Sequence, residues 1–377
     1  MRIGFDGKRA VQNFTGLGNY SRYVADILCH FYPENDYVLY APKKRENKRM
    51  NLLTGQYRQL TLAYPATFFW KKLSSLWRVW GITSQLEKEG IELFHGLSNE
   101  LPLNIHKSRI KSIVTIHDLI FLRYPQYYQS IDRKIYTYKF RKACENADKI
   151  IAISECTKRD IIRYFNIPDD KIEVVYQGCD VSFTHPVTEE KKEEVRKKYQ
   201  LPDHYILNVG SIEERKNILA AVQALPMLPQ HIHIVIVGRR TGYTKKVEQF
   251  IKDNGLGERV HIISNVPFND LPAFYQSAEI FVYPSRFEGF GIPIIEALYS
   301  GIPVVAATGS CLEEAGGPDS IYVNPDDITG LADAFKQIYS NSDKRKNMVE
   351  KGREFAKRFS EKQQSEEIIN IYKKLIR

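Results

Sequence analysis

Apolar positions along the chain fall into two alternating kinds of run. Short β-branched stretches recur through the first half as RIGFDG, DYVLYA, IELFHG, SIVTIHD, KIIAIS and IEVVYQ. They continue through the second as YILNVGS, IHIVIVG, RVHIIS, EIFVYPS, PVVAAT and IYVNP. Between many of them the apolar spacing turns helical, as in NYSRYVADILCHFY, NILAAVQALPML and IPIIEALYSG. Strands separated by helices in this way imply βαβ units and parallel sheets covered on both faces. A polar stretch, HPVTEEKKEEVRKKYQLPDH, carries prolines near its ends and a charged helical run inside, and reads as a domain junction. The expected class is α/β, with two doubly wound domains, residues 1–183 and 184–377, facing each other across a cleft. Open sheets of this kind place ligands at the carboxyl ends of their strands.

Length and composition fit that picture. A chain of 377 residues is too long for one compact core. With 43% hydrophobic and 26% charged residues it is neither disordered nor fibrous. Its start, MRIGFDGKRA, reads as a strand entering a turn and not as a signal peptide. Its longest apolar runs are too short to span a bilayer. Five scattered cysteines (Cys29, Cys144, Cys156, Cys179 and Cys311) form no CxxC pair. They argue for reduced thiols in a cytoplasm and against a zinc site.

The net charge of +9 is uneven: residues 1–200 hold 33 Lys and Arg against 23 Asp and Glu, and the remainder is nearly neutral. The first half is therefore expected to meet something anionic. No nucleic-acid-binding module is evident. An anionic membrane surface or a phosphate-bearing acceptor fits better, and a basic surface serving only solubility stays open beside them. The segment FFWKKLSSLWRVW bears on this choice. Phe69, Leu73, Leu76, Trp77 and Trp80 fall on one helical stripe, with Lys71, Lys72 and Arg78 beside it. Such a stripe either packs on the first sheet, the favoured expectation, or lies on a membrane surface.

Four clusters stand where a strand ends and the chain turns. In TGLGNYS, Gly16 and Gly18 precede a helix, so backbone N–H groups can approach an anion. They also come close to a dinucleotide fingerprint, but lie about ten residues past the first strand, and the acidic Asp36 precedes the second strand. In TIHDL, His117 and Asp118 end an apolar strand and can offer hydrogen bonds to a polar ligand; His95, in FHG, is less specific. In GSIEERKN, Arg215 and Lys216 stand just before a helix, a good place for a diphosphate, unless Glu213 and Glu214 simply pair with them. In EGFGIPIIE, Gly289 and Gly291 open a helix whose first turn suits Pro293, and Glu288 and Glu296 bracket that turn. Carboxylates accept the paired hydroxyls of sugars and ribose. Glu296 sits among Ile294, Ile295, Ala297 and Leu298, which argues against a solvated role.

Taken in order, these motifs resemble glycosyltransferase family 4: E-G-F-G-x-P-x-x-E after a strand, G-x-x-x-x-R-K-N upstream, and a Gly-rich loop with H-D-L in the first half. The likeness extends over AISECTKRDI, IEVVYQGCD, LPAFYQSAEIFVYPSRFEGFG, EALYSGIPVV and SIYVNPDD. It implies a retaining, nucleotide-sugar-dependent enzyme with two Rossmann-like domains of the GT-B type, the first binding the acceptor and the second the donor, and a last helix, about 361–377, packing back on the first domain. By that resemblance Glu296 binds the ribose. Glu288 contacts the donor sugar, helped by the backbone of Gly289, Phe290 and Gly291. Arg215 and Lys216 hold the diphosphate with the backbone of Gly16 and Gly18. His117 sits beside the transferred sugar, and Val266, in ISNVPFNDL, belongs to the base-binding loop. Many members carry an arginine directly after the glycine where this chain has Ser211, so Arg215 is expected to supply the second positive charge.

A departing nucleoside diphosphate gains negative charge, which fixed cations or a metal can meet. The chain has no Asp-x-Asp, and Asp326–Asp327 falls where helix capping explains it. No metal and no cofactor are therefore expected beyond the nucleotide-sugar donor itself. The acceptor implied is a glycan or a lipid-linked glycan in surface polysaccharide synthesis, with mannose from GDP-mannose as the leading donor by family frequency. The implied location is the cytoplasm, free or peripheral on the inner face of the membrane. The alternatives are a nucleotide-sugar epimerase or phosphorylase on the same scaffold, or a sugar-binding relative that has lost catalysis.

Overall fold

The computed structural model describes residues 1–376 and divides into two compact units, Met1–Gln177 with the segment from Glu361 onward, and Gly178–Ser360. The first unit is built on seven strands: β1 Arg2–Asp6, β2 Asp36–Tyr40, β3 Leu60–Ala63, β4 Leu93–Gly96, β5 Lys111–Ile116, β6 Lys149–Ala152 and β7 Ile172–Val174. The second has six: β8 Tyr205–Val209, β9 His233–Val237, β10 Val260–Ile263, β11 Ile280–Tyr283, β12 Val304–Ala307 and β13 Ile321–Val323. The sheet orders are β3-β2-β1-β4-β5-β6-β7 and β10-β9-β8-β11-β12-β13, with parallel pairing throughout. The chain reverses direction across each sheet after its third strand. The resulting switch points lie between β1 and β4 and between β8 and β11, and the loops leaving these strands diverge to leave room for a ligand.

Apolar strands buried on both faces explain the near-continuous hydrophobic runs. One face of the first sheet packs Ile3, Phe5 and Leu39 against the helix Gly16–Phe31 and against Ile368, Ile369 and Tyr372 of the last helix, Glu361–Ile376. The other face packs Phe94, Val114, Ile116 and Ile150 with Trp77. In the second unit Ile206, Ile234 and Val282 meet Ala221, Leu331 and Phe335. The five cysteines are buried and form no disulfide. Among the described residues no helix is long and apolar enough to cross a membrane.

Several expectations change. Strand β3 escaped the periodicity reading because it is a four-residue edge strand with only Leu60 buried. The units divide at Gln177–Gly178, six residues before the division at 183. The reason is Phe183, whose ring packs edge-on against Phe268 and Tyr275 of the second unit. Gly16 and Gly18 do not precede the helix but form its first turn. The stripe of Phe69, Leu73, Leu76 and Trp80 does not pack in the core. Only Trp77 is buried, because the segment is broken into Phe68–Lys72, Ser74–Leu76 and a wider turn, Trp77–Gly81, and no longer forms one continuous helical face.

Candidate functional site

Pairing of β8 with β11, Ile206 opposite Ile280, brings together two loops far apart in sequence. The loop after β8 carries Arg215 and Lys216 in the turn Glu214–Lys216, and the loop after β11 carries Glu288. Lys216 Nζ lies 3.0 Å from Glu288 Oε1, and Arg215 Nη1 lies 2.8 Å from Glu288 Oε2. Lys216 also donates to Tyr283 Oη at 2.9 Å, and Ser285 Oγ donates to Glu288 at 3.0 Å. Arg215 further donates to the Phe287 carbonyl, and Arg286 N donates to Arg215 O at 2.9 Å, which stitches the loops together. Burial opposes the charge on Glu288, but Lys216 and Arg215 outweigh it and hold its carboxyl at about 2. Burial likewise opposes charge on Lys216 and Arg215, and Glu288 raises both above their ordinary values. Glu213 stands farther off, 3.7 Å from both Arg215 and Arg239. Three cations against two carboxylates leave the cluster net positive, and it sits at the switch point. This arrangement can receive an anion.

The chain then opens the helix Ile292–Ser300 through Gly289, Phe290 and Gly291. Gly291 adopts φ +152°, and a Cβ there would stand 3.2 Å from Ala315 and Leu312. A side chain at that position would be strained by the backbone conformation and crowded by both neighbours. Cys311 Sγ lies 3.0 Å from Glu288 O and 2.8 Å from Phe290 O, and the Phe290 ring is buried against Phe359. The loop is therefore held from below. On the helix, half-buried Glu296 accepts a 2.6 Å hydrogen bond from Tyr275 Oη. Burial pushes Glu296 up to about 7; the Tyr275 bond opposes this and the charge of Asp180 adds to it. Val266 is half-buried in the loop between β10 and the turn Phe268–Asp270.

In the first unit His117 follows β5. The Asn99 side chain accepts from its backbone N–H at 2.7 Å. Its Nε2 lies 2.9 Å from the Leu97 carbonyl, which can only accept, so Nε2 carries the proton. Its Nδ1 then accepts from the Gln177 amide at 3.3 Å, and the Tyr20 ring stands edge-on at 4.6 Å. Burial drops His117 to about 4. It is a neutral, oriented imidazole with both nitrogens engaged. His95 is fully buried between Tyr372 Oη, 2.6 Å away, and Thr115 Oγ1, 2.8 Å away, and ties the last helix to the sheet. Asp118 accepts from Ile120 N at 3.1 Å. At the helix Gly16–Phe31, Asn13 Oδ1 accepts from the N–H groups of Thr15 and Gly18. A Cβ on Gly18 would come 2.0 Å from the Asn13 carbonyl, whereas one on Gly16 would meet open space. Gly18 is thus required by packing, and Gly16 is the glycine that leaves the backbone approachable.

Sequence reasoning missed Tyr283 and Ser285, although both stand in the VYPS that ends β11. It also missed Tyr275, Cys311 and Gln177, which support site residues from distant points of the chain and carry no local signal. Asp326 pairs with Arg286 at 2.6 Å, and Asp327 caps the helix Ile328–Tyr339 through Gly330 N.

Two families match the chain in succession: residues 21–183 match the one described as Glycosyltransferase Family 4, and residues 190–355 the one described as Glycosyl transferases group 1. The O-antigen chain mannosyltransferase B of Escherichia coli is 31% identical over 289 residues, 75% of this chain and 74% of that protein. The O-antigen chain mannosyltransferase RfbU of Salmonella typhimurium is 29% identical over 225 residues, 60% of each chain. Among solved structures, Anabaena Alr3699/HepE in complex with UDP and glucose is similar over the full length of both chains, with a TM-score of 0.77 at 18% identity. That likeness is one of fold: two domains of the GT-B type.

Proposed function

The chain belongs to glycosyltransferase family 4, and from that premise we propose that it moves mannose from GDP-mannose, with retention of configuration, onto a saccharide or lipid-linked glycan in surface polysaccharide synthesis. The observation that carries this reading is the pair of cations closed on one buried carboxylate at the switch point of the second sheet. The names of the two mannosyltransferases support the choice of sugar and of pathway. In the proposed site Lys216 and Arg215 receive the diphosphate. Glu288, ionised at any physiological pH, orients the sugar with the backbone of Gly289, Phe290 and Gly291. Glu296 takes the ribose hydroxyls, and Val266 lies on the base. His117, neutral and with both ring nitrogens taken by Leu97 and Gln177, exchanges no proton in the reaction.

The bond from the anomeric carbon to the diphosphate oxygen breaks as the acceptor oxygen bonds to the same face of that carbon. The acceptor's proton passes to the departing diphosphate, so no enzyme base is required. Charge building on the leaving group meets Lys216 and Arg215, prearranged in a buried site where such interactions are strongest. Fixed cations here take the part a divalent metal plays elsewhere. The engagement of Asp326 and Asp327 in an ion pair and a helix cap supports that reading. The test is a panel of nucleotide sugars offered with a lipid-linked oligosaccharide acceptor, followed by mass spectrometry. GDP and a hexose-extended product from GDP-mannose are expected. Turnover of a uridine donor alone would overturn the donor, and epimerised donor without transfer would overturn the reaction.

A further inference from the structure

Large apolar side chains standing in solvent are concentrated on two segments of the first unit. Phe68, Phe69, Leu73, Leu76 and Trp80 are 72, 59, 39, 51 and 50% exposed. Ile131, Ile135, Tyr136 and Tyr138 are 69, 44, 37 and 56% exposed. On the helix Ser130–Asn146, Ile131, Ile135 and Tyr138 recur at i, i+4 and i+7 and form one stripe. The segments adjoin, because Val79 of the first and Ile135 and Tyr138 of the second line one depression together with Lys134, Lys139 and Glu100, the last two 3.5 Å apart. Single exposed apolar residues need no explanation, but a continuous face of them marks a binding surface.

The first segment is held in place by specific contacts. The Thr67 side chain caps Phe68–Lys72, and the Trp70 indole packs so closely on Gly81 that a Cβ there would stand 2.6 Å from it. Trp77 is fully buried and donates to Gln85 at 3.1 Å, while Arg78 pairs with Asp6 at 2.5 Å and Glu100 at 2.6 Å. The outward apolar residues are thus presented by a fixed backbone beside the end of β1.

Charge selects the occupant. In residues 68–80 the exposed charges are Lys71 and Lys72, since Arg78 is taken up by Asp6 and Glu100, and Ser130–Asn146 holds five basic against two acidic side chains. Lys71 and Lys72 stand exposed among the aromatics, with Lys72 Nζ 4.7 Å from the centre of the Phe68 ring, and Lys134 and Arg141 are exposed on the helix. Lysine is depleted from protein–protein interfaces. Lysine interleaved with Trp, Tyr, Phe and Leu is instead the composition of an interfacial membrane helix. We propose that this face docks on the headgroup region of an anionic lipid bilayer. Phe68, Phe69, Leu73, Leu76 and Trp80 enter the acyl boundary, and Lys71, Lys72 and Lys134 meet the lipid phosphates. The surface stands independently of the donor and acceptor proposed above.

The three tryptophans of the chain, Trp70, Trp77 and Trp80, all lie in this segment, so intrinsic fluorescence reads it without a label. With vesicles of phosphatidylglycerol and phosphatidylcholine the full chain should co-sediment, shift its emission to the blue and be quenched by brominated lipid. Pure phosphatidylcholine should bind it weakly, and salt should weaken binding to the anionic vesicles. Lys71→Gln with Lys72→Gln should lower partitioning about twenty-five-fold, at roughly fivefold per basic residue near the surface. Phe68→Ser with Phe69→Ser and Leu73→Ser should abolish the quenching. All five residues are exposed, so unchanged thermal midpoints will show that these variants fold. Failure of the parent chain to bind anionic vesicles overturns the proposal, as does binding that survives both sets of substitutions. A dimer that the serine variant dissolves, with no vesicle binding, overturns it in favour of a second copy.

Discussion

Replacing Glu296 by Gln should weaken nucleotide binding while strengthening the fold above pH 7. Burial pushes this carboxyl up to about 7 from an ordinary value of 4.5. Between those values the native state keeps a proton that the unfolded chain has released. The stability this provides is complete below about pH 4.5 and is lost as pH rises through 7. The full displacement corresponds to about 3 kcal/mol, and to less for a half-buried side chain that water partly reaches. Gln keeps an oxygen to accept from Tyr275, now 2.6 Å away, and has no charge to bury. At pH 8 its thermal midpoint should therefore lie a few degrees above the parent's, whereas at pH 5 most of that difference should be gone. Binding should move the other way. Loss of a charged acceptor for the ribose hydroxyls costs about 1.5–3 kcal/mol, or roughly ten- to a hundredfold in GDP affinity. Affinity of the parent should also fall between pH 8 and 6 as Glu296 takes up its proton. The variant, titrated alongside, reports the nucleotide phosphate's own titration. Calorimetry and thermal melts at pH 5, 6 and 8 read both effects. A variant that binds GDP as tightly as the parent at pH 8, or melts below it there, would refute the reasoning.

Lys216→Ala should cut turnover at least about a hundredfold, the scale of losing one prearranged charge-stabilising group, while Arg215 still pairs with Glu288 and the fold persists; single-turnover kinetics with a melt will show it. Transfer should continue in EDTA, and activity lost to the chelator and restored by magnesium or manganese would contradict a metal-free site. Gly18→Ala should destabilise the first unit by about 1–3 kcal/mol, because its Cβ would collide with the Asn13 carbonyl; a lowered thermal midpoint is the readout.

Twelve of the strands were legible because β-branched runs between helices leave little alternative. The thirteenth, β3, is a short edge strand whose exposed positions blur the pattern. The site was legible only as separate loops. Arg215 and Glu288 meet because β8 pairs with β11, and strand order is a property of the sheet that local sequence does not carry. The apolar stripe after Thr67 shows the complementary limit. Periodicity identifies a face without saying what covers it, and the breaks after Lys72 and at Trp77 turned most of that face outward. His95 and His117 looked alike as histidines at strand ends. They separate only through their partners, since Tyr372 lies 277 residues from His95.

The proposed division of labour in the second unit gives the diphosphate to the cations and the sugar to Glu288. Calorimetric titration of GDP into Glu288→Gln tests it most directly. In the structure Glu288 shares its charge with Lys216 and Arg215, so removing that charge leaves two cations facing the site. GDP should then bind as tightly as in the parent, or more tightly, even though turnover of the donor collapses. Loss of GDP binding in Glu288→Gln would contradict the account, because it would place the nucleotide itself on the residue assigned to the sugar.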